Sequence, residues 1–118
     1  MNVVRGDVVL VKFLFSDGSG RSKLRPALVV QTDDMNNRIT DTIIAAISTK
    51  SHRTSEYQVA IDVATPEGLL SGLRFTSMVQ CENLLTIDTV LFQAVIGHLP
   101  ESIMLQINGA LKDVFALD

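Results

Sequence analysis

The sequence has little of several residue types that mark particular classes of protein. Its one cysteine, Cys81, allows no disulfide within the chain, so we expect a reducing, cytoplasmic compartment. No apolar run approaches the roughly 20 residues of a membrane-spanning helix, and the first residues show no signal-peptide pattern. The chain also has no tryptophan and one tyrosine, which limits aromatic stacking on nucleic-acid bases. We therefore expect neither a secreted protein held by disulfides nor a membrane protein.

Sequence signals for metal and nucleotide sites are also missing. His52 and His98 lie far apart and Cys81 stands alone, so no metal-ligand spacing exists. The chain has no Walker-type loop, no dinucleotide-binding glycine motif and no serine-hydrolase elbow. Gly18-Ser19-Gly20 is too short to hold a nucleotide unaided. The sequence therefore predicts neither a metal nor a cofactor.

The charge is distributed unevenly along the chain. The net charge is −3, with ten Lys and Arg residues and 13 Asp and Glu residues. Eight of the basic and five of the acidic residues lie in residues 1–55, a balance of +3, whereas residues 56–118 balance at −6. An anionic partner for the N-terminal half and an uneven, solvated surface both account for this asymmetry.

Apolar, β-branched runs separated by polar, glycine-containing loops predict a mainly β domain over residues 1–118. A helix is predicted after Pro100, because apolar residues such as Ile103 and Ile107 recur there at helical spacing. We expect a small, curved antiparallel sheet or partial barrel with this C-terminal helix packed on it. The predicted strands cover residues 7–15, 26–31, 42–48, 57–62, 74–81 and 90–99, with a short helical turn at 83–87.

Arg25 and Pro26 stand before an apolar run that ends at Gln31. Proline lacks a backbone N–H, so we expect Pro26 at the start of a strand rather than inside it. It also favours an extended conformation at Arg25. A guanidinium fixed at a strand entrance suits a phosphate or a carboxylate.

Ser48 ends the third predicted strand. If the second and third strands are antiparallel neighbours, Arg25 and Ser48 lie at the same end of the sheet. A guanidinium and a hydroxyl surrounded by basic side chains suit a phosphodiester. The alternative is that Arg25 forms a structural ion pair and Ser48 caps a turn. The flanking loops, 16–24 and 49–56, carry Arg21, Lys23, Lys50, His52 and Arg53.

Several motifs, in the same order, resemble the PemK/MazF family, the toxin half of type II toxin–antitoxin pairs. The resemblance covers nearly the whole chain. It implies an SH3-like barrel, a symmetric homodimer and a sequence-selective endoribonuclease. The motifs are Arg5-Gly6-Asp7 with the strand after it, Phe15-Ser16-Asp17, Lys23-Leu24-Arg25-Pro26-Ala27 with the strand after it, Ile44-Ala45-Ala46-Ile47-Ser48, Gly72-Leu73 and Val95-Ile96-Gly97.

By the same resemblance, the catalytic pair falls on Arg25 and Ser48. Threonine is common at the second position, so Thr49 is an alternative, although it would face the other side of a regular strand. The reaction implied is attack of a ribose 2′-hydroxyl on its own 3′-phosphate, without a metal. Asp17 and His52 are candidate general bases by loop position only. The expected RNA-binding residues are Ser16, Asp17, Ser19, Arg21, Lys23, Lys50, His52 and Arg53.

The implied partners are single-stranded RNA, a cognate antitoxin with a flexible acidic segment, a second copy of the chain, and operator DNA bound through the antitoxin complex. Two alternatives share this fold. One is a non-enzymatic, CcdB-like toxin that binds gyrase. The other is an inactive relative that binds only its antitoxin or nucleic acid, which the serine at position 48 leaves open.

Overall fold

The computed structural model describes residues 2–49 and 55–118. Within these residues, six strands form one antiparallel sheet in the order β4-β5-β3-β2-β1-β6. The predicted mainly β fold with a C-terminal helix is confirmed. The strands are β1 (Asp7–Leu14), β2 (Ser22–Val29), β3 (Asp41–Ser48), β4 (Gln58–Ile61), β5 (Ser77–Asp88) and β6 (Phe92–His98). The helices are α1 (Asp33–Asn36), α2 (Pro66–Leu69) and α3 (Glu101–Val114), with a 3-10 turn at Thr89–Leu91.

Each face of the sheet carries a cluster of buried apolar residues. Alternate residues of a strand face opposite sides, so Val8 and Leu28 pack in the cluster that contains α3, whereas Val9 and Ala27 pack in the cluster on the other face. Burial on both faces explains why β1 is apolar at successive positions rather than at every second one.

Helix α3 covers one face of the sheet. Its buried residues Ile103, Met104, Ile107 and Ala110 form the stripe that helical spacing predicts. Pro100 precedes the helix and Glu101 lies in its first turn, where a carboxylate meets the positive end of the helix.

None of the helices in the described ranges has the length and apolar character needed to cross a membrane.

The segment before β1 ties the sheet to α3. The Arg5 Nε–H donates to the Val30 carbonyl at 2.8 Å, and its guanidinium donates to Asn108 Oδ1 at 2.7 Å. Asp7 Oδ2 accepts the Val4 N–H at 2.9 Å, and Asp7 Oδ1 lies 2.9 Å from His98 Nδ1. These contacts hold the first strand against the last helix and the end of the last strand.

The predicted position of Pro26 is wrong: β2 begins at Ser22, and Pro26 lies inside it. Pro26 pairs with Leu10 of β1, whereas pairing with β3 begins only at Ala27. Among the described residues, the first half of β2 therefore has a neighbouring strand on one side only, and a residue without an N–H is tolerated there.

The predicted helical turn at 83–87 is also wrong, because these residues belong to β5. Leu85 and Ile87 pair with β3. The pairing shifts between Ala45, opposite Leu84, and Ala46, opposite Gln80. This irregularity breaks the alternation of apolar and polar residues that would otherwise identify one long strand.

Candidate active-site cleft

A cleft of about 410 Å³ opens on the face of the sheet opposite α3. Ile44 and Ala27 lie on that face, because both pack in the cluster that excludes α3. Strands β2, β3 and β5 form its floor, and the end of β1 forms one wall. Its lining residues are Phe13, Leu14, Phe15, Lys23, Arg25, Pro26, Ala27, Ile44, Ala46, Ile47, Ser48, Gln80, Asn83 and Leu85.

Arg25 and Ser48 both line this cleft. Ala27 pairs with Ala46, and Arg25 and Ser48 each lie two residues beyond this pair, where β2 and β3 are no longer paired. Arg25 is exposed and Ser48 is half-buried. Among the described residues, the Arg25 side chain makes no hydrogen bond and no ion pair, so no described carboxylate holds its guanidinium.

Thr49 lies away from this pair. It lines a separate groove together with Leu10 and Leu24. Thr49 does not line the cleft that contains Arg25 and Ser48. The structure therefore places Ser48, and not Thr49, in the cleft with Arg25.

The loop between β1 and β2 is held by its own side chains. Asp17 Oδ1 accepts the Ser19 N–H at 2.9 Å, and Asp17 Oδ2 lies 2.9 Å from an Arg21 guanidinium nitrogen. The Arg21 Nε–H donates to Ser19 Oγ at 3.1 Å, and the guanidinium lies 5.2 Å from the centre of the Phe15 ring. Hydrogen bonds from Ser19, and then from Arg21, lower the pKa of Asp17. A carboxylate with a lowered pKa is a weak proton acceptor.

The residues predicted to bind RNA fall into three groups: one in the cleft, four in the β1–β2 loop, and three outside the described residues. Lys23 lines the cleft. The loop beside the cleft carries the exposed residues Ser16, Asp17, Ser19 and Arg21, and none of these four lines it. The predicted residues Lys50, His52 and Arg53 lie outside the described residues.

Sequence reasoning missed Gln80 and Asn83, two amide side chains that line the cleft. Both belong to β5, close to its irregular pairing with β3. The sequence carries no motif that distinguishes them from other surface amides. Only the register of β5 against β3 brings them to the cleft.

The structure also bears on the reactivity of Cys81 and on metal binding. Burial raises the pKa of the Cys81 thiol to about 11, so this cysteine is protonated and unreactive at neutral pH. In residues 2–49 and 55–118, no three His, Cys, Asp or Glu side chains lie close enough together to hold a metal ion.

The chain is similar to known proteins over nearly its whole length. It is 29% identical over 117 residues to the endoribonuclease EndoA of Bacillus subtilis (strain 168), covering 99% of this chain and 97% of that protein. An endoribonuclease solved with its cognate antitoxin, from a mycobacterial species, is 22% identical. Its TM-score is 0.77, and the match covers 98% of this chain and 97% of that one.

The MazE–MazF structure (Form-III) from Deinococcus radiodurans superposes with a TM-score of 0.79 at 15% identity, and the match covers 100% of both chains. At such low identities, the solved structures support the fold alone. The family model, by contrast, matches the sequence itself. It describes PemK-like, MazF-like toxins of type II toxin–antitoxin systems and matches residues 4–115, so this chain belongs to that toxin family.

Proposed function

We propose that this protein is an endoribonuclease toxin that cleaves single-stranded RNA in the cleft containing Arg25 and Ser48. The observation that carries the proposal is that an arginine without a protein partner among the described residues shares an open cleft with a hydroxyl. Family membership supports the same reaction, since the relative EndoA is named an endoribonuclease.

The reaction is an internal transfer at phosphorus. The ribose 2′-oxygen attacks the adjacent 3′-phosphate, the bond to the next 5′-oxygen breaks, and a 2′,3′-cyclic phosphate forms. The proton of the 2′-hydroxyl leaves to a base, and the departing 5′-oxygen takes up a proton. Because the nucleophile belongs to the substrate, the protein has to align the groups and stabilise the charge on the phosphoryl oxygens.

Arg25 and Ser48 fit these two tasks. The Arg25 guanidinium presents paired N–H donors to the non-bridging phosphoryl oxygens. The Ser48 hydroxyl hydrogen-bonds the same phosphate and fixes its orientation. Arginine keeps its proton at a pKa above about 12, so its role is to stabilise charge rather than to act as the base. Asp17 is a poor candidate for the base, because its pKa is lowered.

Lys23 holds a neighbouring phosphate of the RNA strand. It lies on the same face of β2 as Arg25, two residues away, and lines the same cleft. The remaining RNA contacts are assigned to the β1–β2 loop and to Lys50, His52 and Arg53. Binding that depends on such cations weakens as salt rises.

The same family membership suggests the partners. The solved relatives include toxin–antitoxin complexes, and a flexible acidic antitoxin segment would neutralise the cations of the cleft. The exposed apolar residues Leu105, Phe115 and Leu117, at 61%, 56% and 63% exposure, support a homodimer in which part of this surface is covered. We assign contact with operator DNA to the complex that this protein forms with its antitoxin. A cytoplasmic site of action follows from the RNA substrate.

The experiment is cleavage of single-stranded RNA by the full chain, with and without EDTA. We expect cleavage to persist in EDTA and Arg25→Ala to lower its rate by about 100-fold or more. Arg38→Ala is the matched control, since Arg38 is an exposed arginine whose partner is Asp34, away from the cleft. Strict metal dependence, or equal cleavage by both variants, contradicts the proposal. Growth arrest without RNA cleavage would instead favour the gyrase-binding alternative.

A further inference from the structure

The irregular pairing of β5 directs three successive side chains to different surroundings. Gln80 pairs with Ala46 and Leu84 with Ala45, so residues 81–83 have no partner on β3. Cys81 is fully buried in the core. Glu82 accepts a hydrogen bond from Gln58 Nε2 at 2.9 Å. Asn83 is thereby left on the cleft side, beside Gln80.

The two cleft amides bond to each other. Asn83 Nδ2 donates to Gln80 Oε1 at 3.3 Å. Gln80 Nε2 and Asn83 Oδ1 make no hydrogen bond with any described residue. The pair therefore offers one donor and one acceptor group side by side. If oxygen and nitrogen were exchanged in both amides, one donor and one acceptor group would still remain.

The pair lies close to the proposed phosphate position. Ala46 and Gln80 are directly opposite each other on neighbouring strands, and Ser48 lies two residues from Ala46. With about 5 Å between strands and about 3.3 Å per residue, the backbones of Ser48 and Gln80 are roughly 8 Å apart. Ala46 lies beside Gln80 on one side and beside Ala27 on the other, and the small side chains of the two alanines leave the floor of the cleft open.

We propose that Gln80 and Asn83 select the base of a nucleotide next to the scissile phosphate, an inference that rests on the proposed RNA cleavage. The Watson–Crick edge of every base carries adjacent donors and acceptors in an order that differs between bases, and a pair of amides can match such an edge. Phosphate oxygens only accept hydrogen bonds, so the exposed Asn83 oxygen would repel them. Leu85, which is 44% exposed and lines the same cleft, offers an apolar surface to the face of the base. Single-stranded RNA presents its bases unstacked for this kind of recognition.

The test measures selectivity as well as rate. The cut sequence of the unaltered protein is first found by sequencing the 5′ ends of products from a single-stranded RNA library. Rates are then measured on oligonucleotides that differ at one position on either side of the cut. Gln80→Met and Asn83→Leu keep the side-chain size and remove the hydrogen-bonding groups. At one position, we expect kcat/KM for the preferred base to fall, and its ratio to the other bases to drop about tenfold or more.

The control is Gln93→Met, because Gln93 is an exposed amide on β6 that does not line the cleft. It should keep both rate and selectivity. If Asn83→Leu lowers the thermal unfolding temperature, Asn83→Ala takes its place in the test, because Asn83 is exposed. Unchanged base preference in the folded Gln80 and Asn83 variants overturns the inference while leaving the proposed cleavage intact. Absence of cleavage by the unaltered protein overturns the proposed function itself.

Discussion

Ser48 and Thr49 are adjacent in the chain but line different depressions of the molecule: Ser48 shares the cleft with Arg25, whereas Thr49 lies in the groove with Leu10. A hydroxyl-bearing residue therefore lines each depression, and only Ser48 shares its cleft with Arg25. The two residues form a matched pair for mutagenesis.

Ser48→Ala should lower kcat for RNA cleavage, since the lost hydroxyl no longer orients the phosphate. One hydrogen bond to a charged group contributes about 1.5–3 kcal/mol, which corresponds to a loss of roughly 10- to 150-fold. Ser48→Thr retains the hydroxyl and should retain most of the activity. Thr49→Ala should cleave at close to the normal rate. A larger loss in Thr49→Ala than in Ser48→Ala would reverse the assignment.

Lys23→Ala should weaken RNA binding and make it less sensitive to salt. Removing one phosphate contact with a single strand lowers the slope of log K against log salt concentration by about 0.7. The measurement is a fluorescence-anisotropy titration of an uncleavable 2′-deoxy oligonucleotide at several salt concentrations. Lys12→Ala is the control, because Lys12 is exposed on β1 and does not line the cleft. Equal slopes for the two variants would remove Lys23 from the phosphate contacts.

Asp17 should titrate below its ordinary pKa of 3.8, because hydrogen bonds from Ser19 and then from Arg21 favour the carboxylate. The folded-state pKa is lowered, so these bonds stabilise the loop above pH 3.8, and that stabilisation is lost as the pH falls through the lower folded-state value. The measurement is an NMR titration of the Asp17 side-chain carbon. Ser19→Ala should move the midpoint back towards 3.8. An unshifted midpoint in the unaltered protein contradicts the hydrogen-bonded loop.

The same carboxylate provides a test of the general base. A catalytic base contributes about 10²- to 10⁴-fold, so Asp17→Asn would abolish most cleavage if Asp17 took the 2′-hydroxyl proton. We expect a smaller effect, caused by loosening of the loop around Arg21. The pH–rate profile separates the two roles. Loss of an acid limb in Asp17→Asn would assign the base to Asp17.

Gly6→Ala and Gly109→Ala should have opposite effects on stability. Gly6 has a φ of +97°, and an added Cβ would lie 2.9 Å from the His98 ring. We expect Gly6→Ala to lower the free energy of unfolding by about 1–3 kcal/mol. Gly109 lies in α3 with open space around it, so alanine there should raise that free energy by about 0.5–1 kcal/mol. Urea denaturation measures both, and a stabilised Gly6→Ala would contradict the geometry.

The sequence predicts α3 well, because Ile103 and Ile107 recur at helical spacing and Pro100 precedes the first turn. It predicts the start of β2 poorly. The rule that proline avoids the interior of a strand does not reveal that β2 is unpaired with β3 before Ala27. Whether a proline is tolerated depends on the neighbouring strand, which is a property of the assembled sheet.

Some residues of the cleft can likewise be predicted from the sequence, and others cannot. Arg25 and Ser48 could be identified from their places next to apolar runs and from a family resemblance. Gln80 and Asn83 could not, because residues 83–87 match a helical turn as well as an irregular strand when read alone. The position of Gln80 and Asn83 beside each other in the cleft depends on the shift in pairing between Ala45 and Ala46. No local sequence pattern encodes this shift.

The contacts of the first strand have a consequence for synthesis of the protein. Asp7 pairs with His98, and Arg5 bonds to Asn108, so the segment around β1 completes these contacts only after residues 91 and 103 positions later have been synthesised. While the nascent chain stops short of β6 and α3, Val8 and Leu28 lack part of their cluster, and such contacts between distant residues form late. The ribosome therefore has to synthesise β6 and α3 before β1 can complete its contacts, and a product terminated before these elements leaves the fold open.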